Sequence, residues 1–341
     1  MKPMTEQLVP NLSVVIPSGR DFPQSLAEDL ITQSKAEDEI IIVNDSPQQK
    51  RSWTFEEQTA EHRSYEAPTR GRTDDPIDYP ADSIKVRYSQ VGASVARNVG
   101  WGSATNNWIL FLDDDVSVND DFLSSVRESI QQRPDSDVVG LRVVSPPPET
   151  VWERIGEETL TLDRGSTQRP TDGSSIRIQN VWTYGAGAAL VVKRTLLSEM
   201  NGFKAQLGAG RPYGGTEDTE FIWHASRHGT ISYDGTVSVS HSHPQTFEGW
   251  RNKLVDYGHC VGHLAGLINS QDAVAYAVGF CNFIRDSIDT STFTALSDQE
   301  RTRAREAINT AVTETIRTLN LSREAITIPV GCFTRCYGGT Q

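Results

Sequence analysis

Several features of most protein classes are scarce in this 341-residue chain. No stretch approaches the ~20 consecutive apolar residues that a membrane-spanning helix needs. Residues 1–20 lack the charged, apolar and small-residue order of a secretory signal, so a cytoplasmic location is expected. There are only four cysteines, all late in the chain, which excludes a disulfide scaffold. Basic residues are outnumbered 32 to 45 by acids, giving a formal charge of -13. A chain this acidic lacks the basic face that general nucleic-acid binding requires. Lysine is rare, seven against twenty-five arginines. Aromatics are present in number, with seven Trp, nine Tyr and eleven Phe, enough to fill a sizeable core.

The first half alternates short apolar runs with helical stretches. Leu12–Ile16, Ile40–Val43, Ile84–Tyr88 and Trp108–Leu112 read as strands. The first, second and fourth are nearly bare of polar alternation, as expected of strands covered on both faces. Residues 23–35 and 93–105 read as intervening helices, which predicts a doubly wound, mainly parallel α/β sheet. Residues 50–83 are polar and interrupt the order; they are expected to be an insertion that ligand binding settles. Pro146-Pro147-Pro148 reads as a boundary. Ala188–Val192 and Thr236–Ser240 read as later strands, and residues 194–201 and 217–228 as helices. From Phe247 on the chain reads as helical. Ser297 and Glu300 make a capping box, followed by an apolar stripe at Ile308, Val312, Ile316 and Leu319. Residues 273–284 are apolar almost all round, which suits a buried helix or one that rests on a membrane surface. The division expected is a sheet domain over 1–246 and a helical extension over 247–341.

Three clusters carry chemistry. Asp113-Asp114-Asp115 ends the fourth strand, where open α/β sheets bind ligands. Adjacent carboxylates repel unless a cation neutralises them, and oxygen ligands suit Mg²⁺ or Mn²⁺. In an extended segment Asp113 and Asp115 would face the same way and could share one metal. The plainer reading is an acidic turn leading into the next helix. Gly214-Gly215-Thr216-Glu217-Asp218 feeds a helix with acids in its first turn. Those acids either complement the helix dipole or present a carboxylate that takes a proton from a hydroxyl. His241 and His243 stand two apart at a strand end, and either could ligate a metal. His259, His263, Cys332 and Cys336 do not have the order of a zinc finger, and free thiols are expected there.

Taken in order, Leu12–Ser18, Ile41–Ser46, Val91–Gly100, Ile109–Asp115, Gly214–Phe221 and Val237–His241 resemble family 2 glycosyltransferases with the GT-A fold. The resemblance spans residues 11 to 265. It implies an inverting, metal-dependent transfer of a sugar from a nucleotide-sugar, UDP-linked by preference, to a glycan or lipid-linked saccharide. Asp45 matches the acid that receives the base, with Pro17, Ser18 and Gly187 beside the donor. Arg97 matches the donor-facing arginine, and Asp113 and Asp114 belong to the donor side of the DxD motif. Asp115 matches the ligand of Mn²⁺ or Mg²⁺, His241 the late histidine ligand and His243 its substitute. Glu217 and Asp218 match the catalytic acidic pair, with Asp218 as general base. Trp182, Tyr184 and Gly215 stand where the acceptor binds. The base-stacking aromatic common near Gly19 is missing, and Asn44 stands where a first Asp is usual. A contact with the inner face of the membrane and a homodimer are both compatible with the helical tail. The rival readings are an inactive sugar-nucleotide-binding module and a metal-dependent phosphoryl-transfer enzyme.

Overall fold

A computed structural model describes residues 9–20, 23–45, 63–64, 84–171, 173, 175–211, 214–268, 270–287 and 291–319. Its first half holds β1 (Leu12–Ser18), α1 (Gln24–Gln33), β2 (Glu39–Asn44), β3 (Arg63–Ser64), β4 (Ile84–Tyr88), α2 (Ala93–Ser103), β5 (Trp108–Leu112), β6 (Val116–Ser117), α3 (Phe122–Gln132) and β7 (Val138–Val144). Then come α4 (Val151–Thr159), β8 (Gln168–Thr171), β9 (Ala189–Lys193), α5 (Arg194–Met200), α6 (Glu217–Ala225) and β10 (Ile231–His241). The chain continues through α7 (Phe247–Ile268), α8 (Gln271–Asp286), α9 (Ser291–Thr294) and α10 (Asp298–Leu319).

All the strands join one sheet in the order β3-β4-β2-β1-β5-β9-β7-β10-β6, with β8 also paired to β10. The run β4-β2-β1-β5 is parallel, while β9 lies antiparallel between β5 and β7. This is the mixed, mainly parallel sheet flanked by helices that the apolar runs predict. The reason for those runs is plain in the burial. On β1, Val15 enters one core cluster, while Val14 and Ile16 enter the other. Ile41 and Ile42 split the same way on β2, and Phe111 and Leu110 on β5. Both faces are covered, so the central positions of these strands are apolar on either side. β1 pairs with β2 on one side and β5 on the other, so the chain reverses its winding direction at β1. Such a switch point leaves a crevice at the carboxyl ends of these strands.

The triproline is a connection from β7 to α4 and does not divide the sheet, because β7 pairs with both β9 and β10. The expected insertion over 50–83 lies outside the described residues, except that residues 63–64 form β3 against β4. Cys332 and Cys336 also lie outside them.

The C-terminal helices share their cores with the sheet domain. Val261, Leu264 and Ala265 of α7 and Ala273, Tyr276 and Ala277 of α8 join the cluster that covers β1 and β5. Cys281 and Ile284 face a second, helical cluster built with Trp152, Trp250 and Ile308. Burial on two sides accounts for the all-round apolarity of residues 273–284. α7 and α10 approach closely, backbone to backbone, at Gly258 and Gly262. A Cβ on Gly258 would lie 2.4 Å from the Ala311 carbonyl oxygen, and one on Gly262 equally close to that of Thr315. The expected capping box is formed: Ser297 Oγ accepts from the Glu300 N–H (3.3 Å), and the Glu300 carboxylate accepts from the Ser297 N–H (3.0 Å).

At the amino ends of the strands, away from the crevice, buried Glu39 ties the sheet together. Its carboxylate accepts from Ser13 Oγ of β1 and from the Thr105 N–H after α2, and it pairs with Lys85 of β4. Burial opposes its charge, but Lys85, Ser13 and Thr105 prevail and hold its pKa at about 2 against an ordinary 4.5. The ionised form is therefore favoured by folding. That stabilisation is present above pH 4.5 and fades as the pH falls from there toward 2. Glu39→Gln should destabilise the protein by about 3 kcal/mol at pH 7. Urea denaturation of both proteins from pH 7 to pH 3 should show the gap closing. A gap of constant size would mean that the Glu39 charge contributes nothing.

Candidate functional site

The crevice is a cleft of about 1380 Å³. Its floor begins where β5 ends. Residues 113–115 turn instead of continuing extended, so the three aspartates part company. Asp113 takes a charged hydrogen bond from Arg97 Nη2 (2.8 Å). Asp114 accepts from Ser18 Oγ (3.0 Å) at the end of β1. Asp115 meets Arg20 Nη1 (2.9 Å) and His241 Nε2 (3.3 Å). The shared orientation expected of Asp113 and Asp115 depended on an extended segment, and the turn replaces it. The histidine arrives by sheet pairing: β6 runs antiparallel to the end of β10, which sets His241 opposite Val116 and hence beside Asp115.

These partners separate the acids electrically. Burial pushes Asp115 up, but the His241 hydrogen bond and charge, then Arg20, hold it well below the usual carboxylate range. Burial raises Asp114, and Arg20 and Ser18 only partly offset it. Asp45 closes the same end of the cleft. It is buried, and its carboxylate accepts from the Gly92 N–H (2.7 Å), which fixes it at the start of α2.

The opposite wall is the start of α6. Thr216 takes a left-handed conformation (φ 66°) and turns the chain into the helix. The two acids that follow diverge. Glu217 is buried and binds Arg97 Nη1 (2.6 Å). Asp218 lines the cleft and is held by main-chain donors. Its Oδ2 accepts from the Gly187 N–H (2.8 Å) and its Oδ1 from the Thr219 N–H (2.7 Å). Arg97 thus bridges the end of β5 and the start of α6 with a side chain only 3% exposed. Burial disfavours its charge, but Glu217 and then Asp113 outweigh this and keep it charged above its ordinary range. Gly187 must be small here, since a Cβ would lie 2.8 Å from Arg97 Nη2.

Pro17, Asp45, Arg97, Asp113, Asp114, Asp115, Trp182, Gly187, Gly215, Glu217, Asp218 and His241 all line this one cleft. Three other expected residues do not reach its surface. Ser18 supports Asp114 from behind. Tyr184 packs against the core. His243 is buried close to Gly156, with neither ring nitrogen hydrogen-bonded among the described residues. Burial, then the charge of Lys253, lowers its pKa to about 4.

The cleft also has a wall that the sequence reading missed. Lys253, Asp256, Tyr257 and Cys260 of α7 line it, as do Tyr276, Phe280 and Phe283 of α8. Tyr257 is pushed well above its ordinary pKa by burial and then by Asp218 and Glu217. Burial takes the Cys260 thiol to about 12, so it is an inert packing group. The available signal was the 3–4 spacing of Lys253, Asp256, Tyr257 and Cys260, which puts them on one helical face.

Among the described residues no group of three or more His, Cys, Asp or Glu is arranged to hold a metal ion. Asp115 and His241 do offer an oxygen and a nitrogen side by side at the cleft. That donor set suits Mn²⁺ or Mg²⁺ where the ligand's own phosphate oxygens and water complete the shell.

The family model for glycosyl transferase family 2 matches residues 13–200, more than half of the chain. The chain belongs to this family. Among curated proteins, this family 2 chain is 25% identical over 176 residues to the pre-mycofactocin glycosyltransferase of Mycobacterium tuberculosis, in strains CDC 1551 and H37Rv alike. That match covers 51% of this chain and 35% of the relative, so the chain spans about a third of the curated relatives' length. Among solved structures, the mannosyltransferase PcManGT from Pyrobaculum calidifontis, in complex with GDP-Man and Mn²⁺, superposes with a TM-score of 0.51 at 14% identity. It covers 91% of this chain and 88% of its own, and the likeness places this family 2 chain in the GT-A fold. TarS 1-349 from S. aureus also matches, with a TM-score of 0.44 and 16% identity over 91% of this chain and 83% of its own.

Arg97→Met should strand two partly or wholly buried carboxylates and cost about 3–5 kcal/mol of stability. Denaturant midpoints of wild type, Arg97→Met and the Arg97→Met/Glu217→Gln double variant check this. The second change should recover part of the loss. An additive further loss would mean that the two groups are not coupled.

Proposed function

We propose that this chain transfers a sugar from a nucleotide-sugar to a hydroxyl of a glycan or lipid-linked saccharide, with inversion at the anomeric carbon. Family membership supports the reaction class. The observation that carries the mechanism is the divergence of Glu217 and Asp218. One acid is spent on Arg97, while its neighbour is held on the cleft wall by two N–H groups. Those donors orient the Asp218 carboxylate and still leave it lone pairs to accept a proton. In this reading Asp218 takes the acceptor's hydroxyl proton as its oxygen attacks the anomeric carbon. The bond from that carbon to the diphosphate oxygen breaks in the same displacement, and its electron pair leaves with the nucleotide. Attack opposite the leaving group inverts the configuration.

On the donor side, Asp45 would receive the base, and the row from Asp113 to Asp115 would lie along the ribose and diphosphate. Asp115 and His241 would hold Mn²⁺ or Mg²⁺, which when bound supplies positive charge for the departing diphosphate. The bound Mn²⁺ of the mannosyltransferase from P. calidifontis supports the use of a divalent ion. UDP is the nucleotide expected from the resemblance, and the GDP-Man of that neighbour makes GDP the alternative to test. On the acceptor side, Trp182 with Tyr276, Phe280 and Phe283 offers apolar faces of the kind that sugar rings stack on. No helix among the described residues is long and apolar enough to cross a membrane.

Asp218→Asn should lower sugar transfer by about 10²–10⁴-fold, the usual contribution of a general base, and leave donor and Mn²⁺ binding within twofold. Asp115→Ala should lose both. Isothermal titration with UDP and with GDP, each with and without Mn²⁺, together with product assays, checks these outcomes. Transfer by Asp218→Asn at the normal rate would remove the base assignment. Nucleotide binding indifferent to Mn²⁺ would remove the metal.

A further inference from the structure

Lys253 is one of only seven lysines in the chain, and it stands in the wall of an acidic cleft. It comes from α7, outside the residues that the family model matches. The glycine contacts between α7 and α10 leave little room for α7 to shift, so its position is set by backbone packing. Lys253 is partly buried. Among the described residues its ammonium has neither a hydrogen bond nor an ion pair. Burial works against its charge, while Asp115 and then Asp113 favour it and Arg20 opposes it. An ammonium partly withdrawn from water without a partner is a costly arrangement for a folded protein to keep. The nearby aspartates are already engaged: Asp113 by Arg97, and Asp115 by Arg20 and His241. A lysine held in this way offers three hydrogen-bond donors and a point charge to an anion that enters the cleft.

We infer that Lys253 binds the diphosphate of the nucleotide donor, so that the helical extension supplies a donor-site cation. The inference rests on the donor reading proposed above and adds to it a contact from a different part of the chain. In such a contact the ammonium donates to a phosphate oxygen from α7. As the bond to the sugar breaks, negative charge grows on that diphosphate, and a fixed ammonium stabilises it.

The test is isothermal titration of UDP, GDP and uridine, in the presence of Mn²⁺, into wild type, Lys253→Met and Lys253→Arg. Methionine keeps the apolar stem and removes the charge. Lys253→Met should bind the diphosphate that wild type prefers about 10- to 100-fold more weakly, the range for losing one charge-assisted hydrogen bond. Uridine affinity should stay unchanged, and Lys253→Arg should recover most of the loss. The thermal midpoint of ligand-free Lys253→Met should equal or exceed that of wild type, because a partly buried charge without a partner has gone. Diphosphate binding unchanged in Lys253→Met overturns the inference. So does an equal loss for uridine, or a lowered midpoint that Lys253→Arg restores without restoring diphosphate affinity. Wild type that binds neither UDP nor GDP would instead overturn the donor reading itself.

Discussion

The site depends on one buried guanidinium. Arg97 is only 2% exposed and binds Glu217 at 2.6 Å and Asp113 at 2.8 Å. A charge so far from water is tolerated only when its partners are fixed and close. The two partners come from segments 104 residues apart, the end of β5 and the start of α6. Holding both sets the distance between the aspartate row and the acidic pair. Two other features serve the same contact. Gly187 has no side chain where one would collide with Arg97, and its N–H is free to hold Asp218. Thr216 accepts a left-handed backbone so that the helix begins with Glu217 turned inward. The result is two adjacent acids with different surroundings. Glu217 is raised above its ordinary value by burial against the pull of Arg97, whereas Asp218 has main-chain partners and an open cleft.

Much of the sheet was legible because its strands are buried on both faces. Leu12–Ile16, Ile40–Val43 and Trp108–Leu112 need no context to read as parallel strands, and the motifs at their carboxyl ends follow from the fold. β7 escaped notice although Val138, Val139, Leu141 and Val143 are as apolar as any. Gly140 and Arg142 interrupt the run, and the following prolines suggested an ending. α4 escaped too, yet it begins with a complete capping box in which Thr150 and Glu153 bond each other's backbone. The orientation of the aspartates was not legible at all. Whether residues 113–115 extend or turn is decided by β6 pairing with β10, a contact between residues more than a hundred positions apart. Local spacing carries no information about it.

The helical extension is a structural wall of the cleft. Its apolar residues complete the cluster over β1 and β5, and its polar ones, Lys253, Asp256 and Tyr257, face the acidic pair and the aspartate row. The sheet's motifs can be read one strand at a time, but this wall cannot. Each of its residues would suit an ordinary amphipathic helix, and only the packing of α7 on α10 shows which way they face.

The charge balance of the cleft links these observations. Asp45, Asp113, Asp114, Asp115, Glu217 and Asp218 all line it, in a chain of net charge -13. The nucleotide diphosphate proposed as donor would bring further negative charge to the same place. Beside the aspartate row, the charge of Arg97 is taken up by two of these acids and that of Arg20 by Asp115, which His241 also contacts. Added positive charge at the aspartate row would therefore favour the entry of an anion there. A divalent ion between Asp115 and the phosphates would add it, displacing nothing from Arg97. Lys253 would meet the same phosphates from the other wall. Together they would concentrate positive charge at the proposed diphosphate position.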